Sequence, residues 1–357
     1  MRQTEESAIQ KSLKPTLPIV VVRSKWTGQC YIAVLLFSWV CLFAVICGIG
    51  FPESAHSEEP PPVGRVYSIV EDEDGGKLYM PSFISFDPVM NEVYVIDGKG
   101  QIVIYTSDFF PLFTLGERNG MTSPQGVAID RAGNLYVSQA GTKKGQRHKI
   151  VVLNACLRPM QEIFFEGFEG AESFVPNRLA LGSQGQLFVA GSRFPGILVM
   201  NTEGKVLRVI SPEEDGSKVN ISNITLDRTG RIYLVSEELS HIYVYEEGGK
   251  FLFKFGEKGG SSGKLSRPMA AAVDDNSGQI YVVDYMRHAV SIYSRDGKYL
   301  SEFGGLGWAA GWFQYPRDII VDSAGRIFVA DTFNHRVEVF TASAKKTAGN
   351  TGAENRL

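Results

Sequence analysis

The sequence predicts an all-β chain folded as a six-bladed β-propeller, closed by an N-terminal strand and preceded by one transmembrane helix. Three observations carry this expectation. One pattern recurs six times, an unpaired strand stands ahead of the first copy, and a long uncharged apolar run lies near the start.

The apolar run comes first in the chain. From Cys30 to Gly50, "CYIAVLLFSWVCLFAVICGIG" contains no charged residue. A bilayer span needs about 20 such residues, whereas the apolar core of a signal peptide has about 7–15. Arg2, Lys11, Lys14, Arg23 and Lys25 precede it, and Glu53, Glu58 and Glu59 follow. The positive-inside rule then makes 1–28 a cytoplasmic segment and 29–51 the membrane helix. Residues 52–63 become a polar, proline-bearing linker, 64–341 an extracytoplasmic ring, and 342–357 a polar tail. Ala55 and Ser57 also fit the −3 and −1 places of a cleavage site, so a secreted chain cut after Ser57 is the alternative. Both readings export the ring to the periplasm or the extracellular space.

Cysteine usage agrees. Cys30, Cys41 and Cys47 lie in the apolar run, which leaves Cys156 alone outside it and excludes an internal disulfide framework. A net charge of −3 gives no general drive toward nucleic acid. Short alternating runs such as "EVYVID" and "RIYLVS" read as half-buried strands.

The repeat is anchored on Asp87, Asp130, Gly182, Asp227, Asp274 and Asp322, spaced 43 to 52 residues apart. Six or seven residues after each anchor stands an aromatic: Tyr94, Tyr136, Phe188, Tyr233, Tyr281 and Phe328. Six residues before it stand Pro81, Pro124, Pro176, Ile221, Pro268 and Pro316. That period fits one unit of four short strands, a to d. In the fifth unit strand a is "AAAVD", small enough for a crowded centre, followed by "QIYVVD", "AVSIY" and, after the hairpin signal "SRDGK", "KYLSEFG". A four-stranded sheet buries too little alone, so the six units must stack around an axis.

A ring must also close. After Phe340 the sixth unit has no strand d, while "VGRVYSIVED", from Val63, precedes the first unit without a partner. That segment is expected to complete the sixth blade and remove the open sheet edge.

The stretch Pro316 to Phe340, "PRDIIVDSAGRIFVADTFNHRVEVF", resembles the NHL repeat. The likeness is strongest in units five and six and weakest in unit three, where Gly182 and Gly191 depart from the pattern. It extends over residues 64–341. The resemblance implies a six-bladed propeller, most often a binding platform. Some members are enzymes, including a lyase acting on peptidyl-hydroxyglycine, so the fold does not decide the function.

Candidate chemistry is sparse. His241, His288 and His335 are read as one recurring position in the strand b to strand c turns. Neighbouring blades separate them by about 10–15 Å, given a strand spacing of about 4.8 Å. Zinc takes nitrogens at about 2 Å, so one ion cannot collect all three. They are expected to brace their own turns with Asp284 or Asp331. "GGSSG" (259–263) and "GLGWAA" (305–310) match nucleophile-elbow and dinucleotide patterns in letters only, because neither opens a helix. "NIS" and "NIT" place glycosylation sequons at Asn220 and Asn223.

Surface loops are the better candidates. The d-to-a connections and b-to-c turns fall on one rim, where Arg178, Arg267 and Arg317 stand next to or near their prolines. A long loop in the second unit brings Lys143, Lys144 and Arg147, and the third unit adds Arg193. Trp308 and Trp312 are anchors if exposed and core if not. These residues together suggest a face that docks a protein or an anionic partner, with no cofactor, no metal and no catalytic residue required. The alternative is a metal-dependent lyase or lactonase working in the central channel, although the strand a residues offer it few ligands.

Overall fold

The computed structural model of the chain describes residues 63–142, 145–192 and 194–342. The predicted segments 1–28 and 29–51, nearly all of the 52–63 linker, and the tail beyond Ala342 lie outside the described residues. Among the described residues, no helix is long and apolar enough to cross a membrane.

Strand β1 (Val63–Ile69) precedes the blades. Blade 1 comprises β2 (Phe83–Asp87), β3 (Glu92–Ile96), β4 (Ile102–Tyr105) and β5 (Pro111–Leu115). Blade 2 is β6 (Pro124–Ile129), β7 (Leu135–Gln139), β8 (Lys149–Leu153) and β9 (Pro159–Phe164). Blade 3 is β10 (Val175–Leu181), β11 (Leu187–Ser192), β12 (Ile197–Met200) and β13 (Val206–Ile210). A small hairpin, β14 (Glu213–Glu214) and β15 (Ser217–Lys218), leads into blade 4. Blade 4 is β16 (Asn223–Leu226), β17 (Ile232–Ser236), β18 (His241–Tyr245) and β19 (Phe251–Phe255). Blade 5 is β20 (Pro268–Val273), β21 (Ile280–Asp284), β22 (Ala289–Tyr293) and β23 (Tyr299–Gly304). Blade 6 takes β24 (Asp318–Val321), β25 (Arg326–Asp331) and β26 (Arg336–Ala342) from the end of the chain.

The missing fourth strand of blade 6 is β1, in the order β1-β26-β25-β24. It pairs antiparallel with β26 from Val63 opposite Ala342 to Ile69 opposite Val337. Closure by the N-terminal strand is therefore as the sequence predicts.

The expected half-burial of strands needs correction. In β7, β17 and β21 every residue is buried. Each blade is sandwiched between two others, so its middle strands lose water on both faces. Alternation survives only at the outer edge, as in β13. The core is accordingly not one mass. The buried apolar residues form six clusters, one for each seam between neighbouring blades, including the seam between blades 6 and 1.

The anchor aspartates close the a-to-b turns. Asp130 Oδ1 accepts the N–H groups of Ala132 at 2.9 Å and Asn134 at 2.8 Å. Asp322 does the same for Ala324 and Arg326. Blade 3 lacks this carboxylate because the space is taken. A Cβ on Gly182 would come within 2.7 Å of Phe188 and of the Glu247 carboxylate. Glu247, from blade 4, supplies the acceptor instead, at 2.8 Å from the Ser183 N–H.

Candidate functional site

The antiparallel order puts the d-to-a connections and the b-to-c turns on one face, here called the loop face. The second recurring aspartate builds that face. Asp284 accepts the N–H groups of Ser266, Arg267, Met286 and Arg287, binding the incoming connection to its own turn. Asp331 accepts from Gln314 N–H at 2.6 Å and from the side chains of Asn334 and Arg336. These carboxylates are turn braces, with their acceptor sites filled by the protein.

The histidines act one blade further on than expected. His288 Nδ1 accepts the Tyr315 N–H at 3.0 Å, and His335 Nδ1 accepts the Met80 N–H at 3.1 Å. Each imidazole thus pins the connection into the next blade, and His335 does so across the ring closure. His241 does not belong to this set. Ser240, at φ 58°, occupies the left-handed place that His288 (φ 54°) and His335 (φ 57°) occupy, and His241 is the first residue of β18. In blade 4 the left-handed position of the turn therefore belongs to Ser240 and not to a histidine.

The loop connections share a device invisible in the repeat pattern. Two or three residues before each recurring proline position, an apolar side chain plugs the seam: Leu78, Met121, Phe174, Val219, Leu265 and Phe313, all buried. Between blades 5 and 6, Phe313 takes that role and the neighbouring tryptophans remain outside. Trp308 is 78% exposed and Trp312 48%. Met286, Leu306 and Phe333 are exposed beside them in chain order or on the adjoining turns. The loop is held in place: Asn334 donates to the Gly307 carbonyl at 2.9 Å, and Arg336 donates to the carbonyls of Ala309 and Trp312.

The predicted arginines fall into different settings. Arg147 is exposed, lies 4.3 Å over the Phe164 ring and pairs with Glu166 at 3.2 Å. It edges a cavity of about 820 Å³ between the long loop of blade 2 and the connection into blade 3. Arg267 pairs with Glu237, and Arg267 and Arg317 both lie over the Tyr285 ring, at 5.1 and 5.6 Å. Lys143, Lys144 and Arg193 lie outside the described residues. Of the two sequons, Asn220 is exposed, whereas Asn223 is buried and reaches the Asp318 carboxylate at 3.4 Å.

Arg178 is not a rim residue. It stands at the axis, donating through Nη1 to the carbonyls of Gln125 and Asn177 and through Nη2 to that of Ser82, which joins the leading edges of blades 1, 2 and 3. Its guanidinium lies 4.9 Å over Phe83. Gly126 makes room for this arrangement, since a Cβ there would meet the Arg178 Cα at 3.3 Å. Across the mouth, Asp318 Oδ2 accepts the Ile84 N–H at 2.8 Å. Burial pushes the Asp318 carboxyl up to about 6, with the Arg178 charge opposing that rise. Desolvation lowers the Arg178 pKa; Asp318 offsets this and the neighbouring Arg317 adds to it.

Below the mouth runs a channel of about 310 Å³ bounded by all six inner strands, among them Val127, Leu179, Ala272 and Ile319. Aliphatic residues are the commonest type along it, and two carboxylates border it: Asp318 is committed to Ile84 and Asn223, and Asp275 to Arg228. Among the described residues, no group of three histidine, cysteine, aspartate or glutamate side chains is arranged to hold a metal ion.

Comparison with known proteins supports the architecture. Residues 213–302 match a family model described as a six-bladed β-propeller, and residues 313–340 match the NHL repeat. No curated protein matches the chain. Among solved structures, an auxiliary nutrient binding protein from Bacteroides thetaiotaomicron is similar at a TM-score of 0.57 and 12% identity, covering 79% of this chain and 75% of that one. A second auxiliary nutrient binding protein, from Bacteroides ovatus, is similar at 0.58 and 14%, covering 80% and 78%. Virginiamycin B lyase from Staphylococcus aureus is similar at 0.52 and 14%, covering 78% and 99%. At such identities the likeness concerns the fold alone. The described residues form a six-bladed β-propeller whose sixth blade matches the NHL repeat.

Proposed function

We propose that this protein is a non-catalytic binding scaffold outside the cytoplasm, tethered through residues 29–51, whose loop face docks a protein partner. The observation that carries the reading is the exposed pair Trp308 and Trp312 on a loop fixed by Asn334 and Arg336. An aromatic pair held in one conformation loses little entropy on binding, and tryptophan, arginine and methionine are the types enriched at interface centres. Met286 and Phe333 extend the apolar surface beside it. Two acidic stretches in the d-to-a connections, 71–74 and 213–215, are partly consumed within the fold, with Asp72 paired to Lys99 at 2.5 Å and Glu214 bonded to Tyr243 at 2.9 Å. The two carboxylates of the channel, Asp318 and Asp275, are both bonded within the fold, which favours this reading over an enzyme working at the axis. The nutrient-binding proteins of the same fold are consistent with it.

The test is site-specific photocrosslinking in intact cells. A photoreactive residue at Trp308 is expected to give a discrete adduct that is absent when the same residue replaces Arg131 on the opposite face. Equal labelling from both positions, or none from Trp308, overturns the proposal.

A further inference from the structure

The axial mouth of the loop face holds an imbalance of charge. Arg178 reaches the Ser82 carbonyl, and Asp318, the residue after Arg317, accepts the Ile84 N–H, so the two arginines converge on the start of β2. Among the described residues, neither has a carboxylate within ion-pair distance, whereas Arg267 is paired with Glu237 and Arg336 with Asp331. Among the described residues the Arg317 guanidinium has no hydrogen-bond partner, and it lies over the face of Tyr285 at 5.6 Å. The Nε atoms of both arginines and Asn177 Oδ1 are buried without a partner. Both residues keep some accessible surface.

An arginine pair in such a place needs explanation. Half-buried guanidiniums lose hydration and repel one another, so the protein bears an electrostatic penalty unless an anion joins them. Asp318 offsets one charge from across the mouth, but its oxygens face Ile84 and Asn223. One positive charge is left over at the axis, with the Arg317 donors unspent. Guanidinium groups offer paired N–H donors in the geometry that carboxylate and phosphate oxygens accept.

We propose that the axial mouth binds a compact anionic group, a carboxylate or a phosphate, through Arg178 and Arg317. Arg317 supplies the free donors, and Arg178, fixed by three backbone carbonyls, supplies the charge. This places the anionic part of a ligand at the centre of the face on which the tryptophans stand. It rests on the loop-face reading only for the ligand's larger identity, since the anion site can exist without a protein partner.

The experiment is calorimetric titration of the full chain with sodium phosphate and, separately, sodium acetate, at constant ionic strength. Saturable binding of either ion is expected, and the stronger of the two identifies the anionic group. Arg317→Gln should weaken it at least tenfold, and Arg317→Lys should recover part of the loss. Arg295→Gln, on the opposite face, should leave it unchanged. Arg317 carries no backbone contact through its side chain, so its variants are expected to fold where Arg178 variants would not. Binding that is absent, does not saturate, or is the same in Arg317→Gln overturns the proposal. The photocrosslinking result at Trp308 is independent of this outcome, so the two readings fail separately.

Discussion

Arg65, in the first described strand, donates from Nε to the Glu338 carboxylate at 2.7 Å, joining positions 273 residues apart. Ser68 Oγ donates to the same oxygen at 2.8 Å, and Arg336 lies 3.1 Å from the other. Glu338 is fully buried, so the strand that shuts the ring is tied down by a carboxylate with no access to water. Removing one partner from a buried pair leaves an uncompensated group. Glu338→Ala leaves Arg65 without its carboxylate and Arg336 with Asp331 alone, and should lower stability by about 3 kcal/mol. Arg65→Ala should cost less, about 1 kcal/mol, because Arg336 remains and Arg65 is partly exposed. Urea melts of both variants and the double variant check this; a Glu338→Ala protein as stable as wild type would refute it.

The histidine contacts predict a pH dependence. His288 accepts the Tyr315 N–H through Nδ1, which only the neutral ring can do. Burial lowers the His288 pKa in the folded protein, with Asp284 acting in the opposite direction. The folded state therefore holds fewer protons than the unfolded one. The stabilising bond is fully present above the unfolded value of about 6.5 and is lost as pH falls through the lower folded value. Asparagine tolerates the left-handed backbone at this position and keeps an acceptor. His288→Asn should consequently flatten the decline of melting temperature below about pH 6.5. An unchanged pH profile would assign the decline to other groups.

Gly191 occupies the place of Asp284 and Asp331 in blade 3, and a Cβ there would meet the Phe174 ring at 2.4 Å. The ring is itself buried among Phe165, Phe168 and Phe194. Gly191→Ala should destabilise the protein by about 1–3 kcal/mol through overpacking. Combining it with Phe174→Leu should recover part of that loss. A double variant weaker than the sum of the two single changes would show that the contact is not the cause.

Much of this was legible from the chain, for an identifiable reason. The anchors Asp130 and Asp322 and the strand beginning at Val63 obey local rules, turn capping and edge closure, which leave their mark in neighbouring residues. The glycines of blade 3 could be seen to depart from the pattern but not explained, because Phe174 and Glu247 reach them from other parts of the chain. Arg178 lies two residues after Pro176, much as Arg317 follows Pro316, so the sequence alone makes it a rim residue. Only the ring geometry, with Gly126 opposite, turns it toward the axis. In blade 4 His241 resembles His288 in type, while the left-handed backbone that defines the position, which no residue type announces, belongs to Ser240.

Phe313 and Trp312 are adjacent yet serve opposite ends. Phe313 is fully buried in the seam between blades 5 and 6, close to Phe303 and Phe340. Trp312 is 48% exposed and covers Gly305, where a Cβ would fall 2.6 Å from its ring. Phe313→Ala should cost about 3–5 kcal/mol by opening a cavity between two blades. Trp308→Ala, at a side chain 78% exposed, should stay within about 0.5 kcal/mol of wild type. Chemical denaturation measures both. With stability unchanged, any loss of partner crosslinking in Trp308→Ala belongs to the surface itself. A Trp308→Ala protein as unstable as Phe313→Ala would make that tryptophan part of the seam and remove it from the docking face.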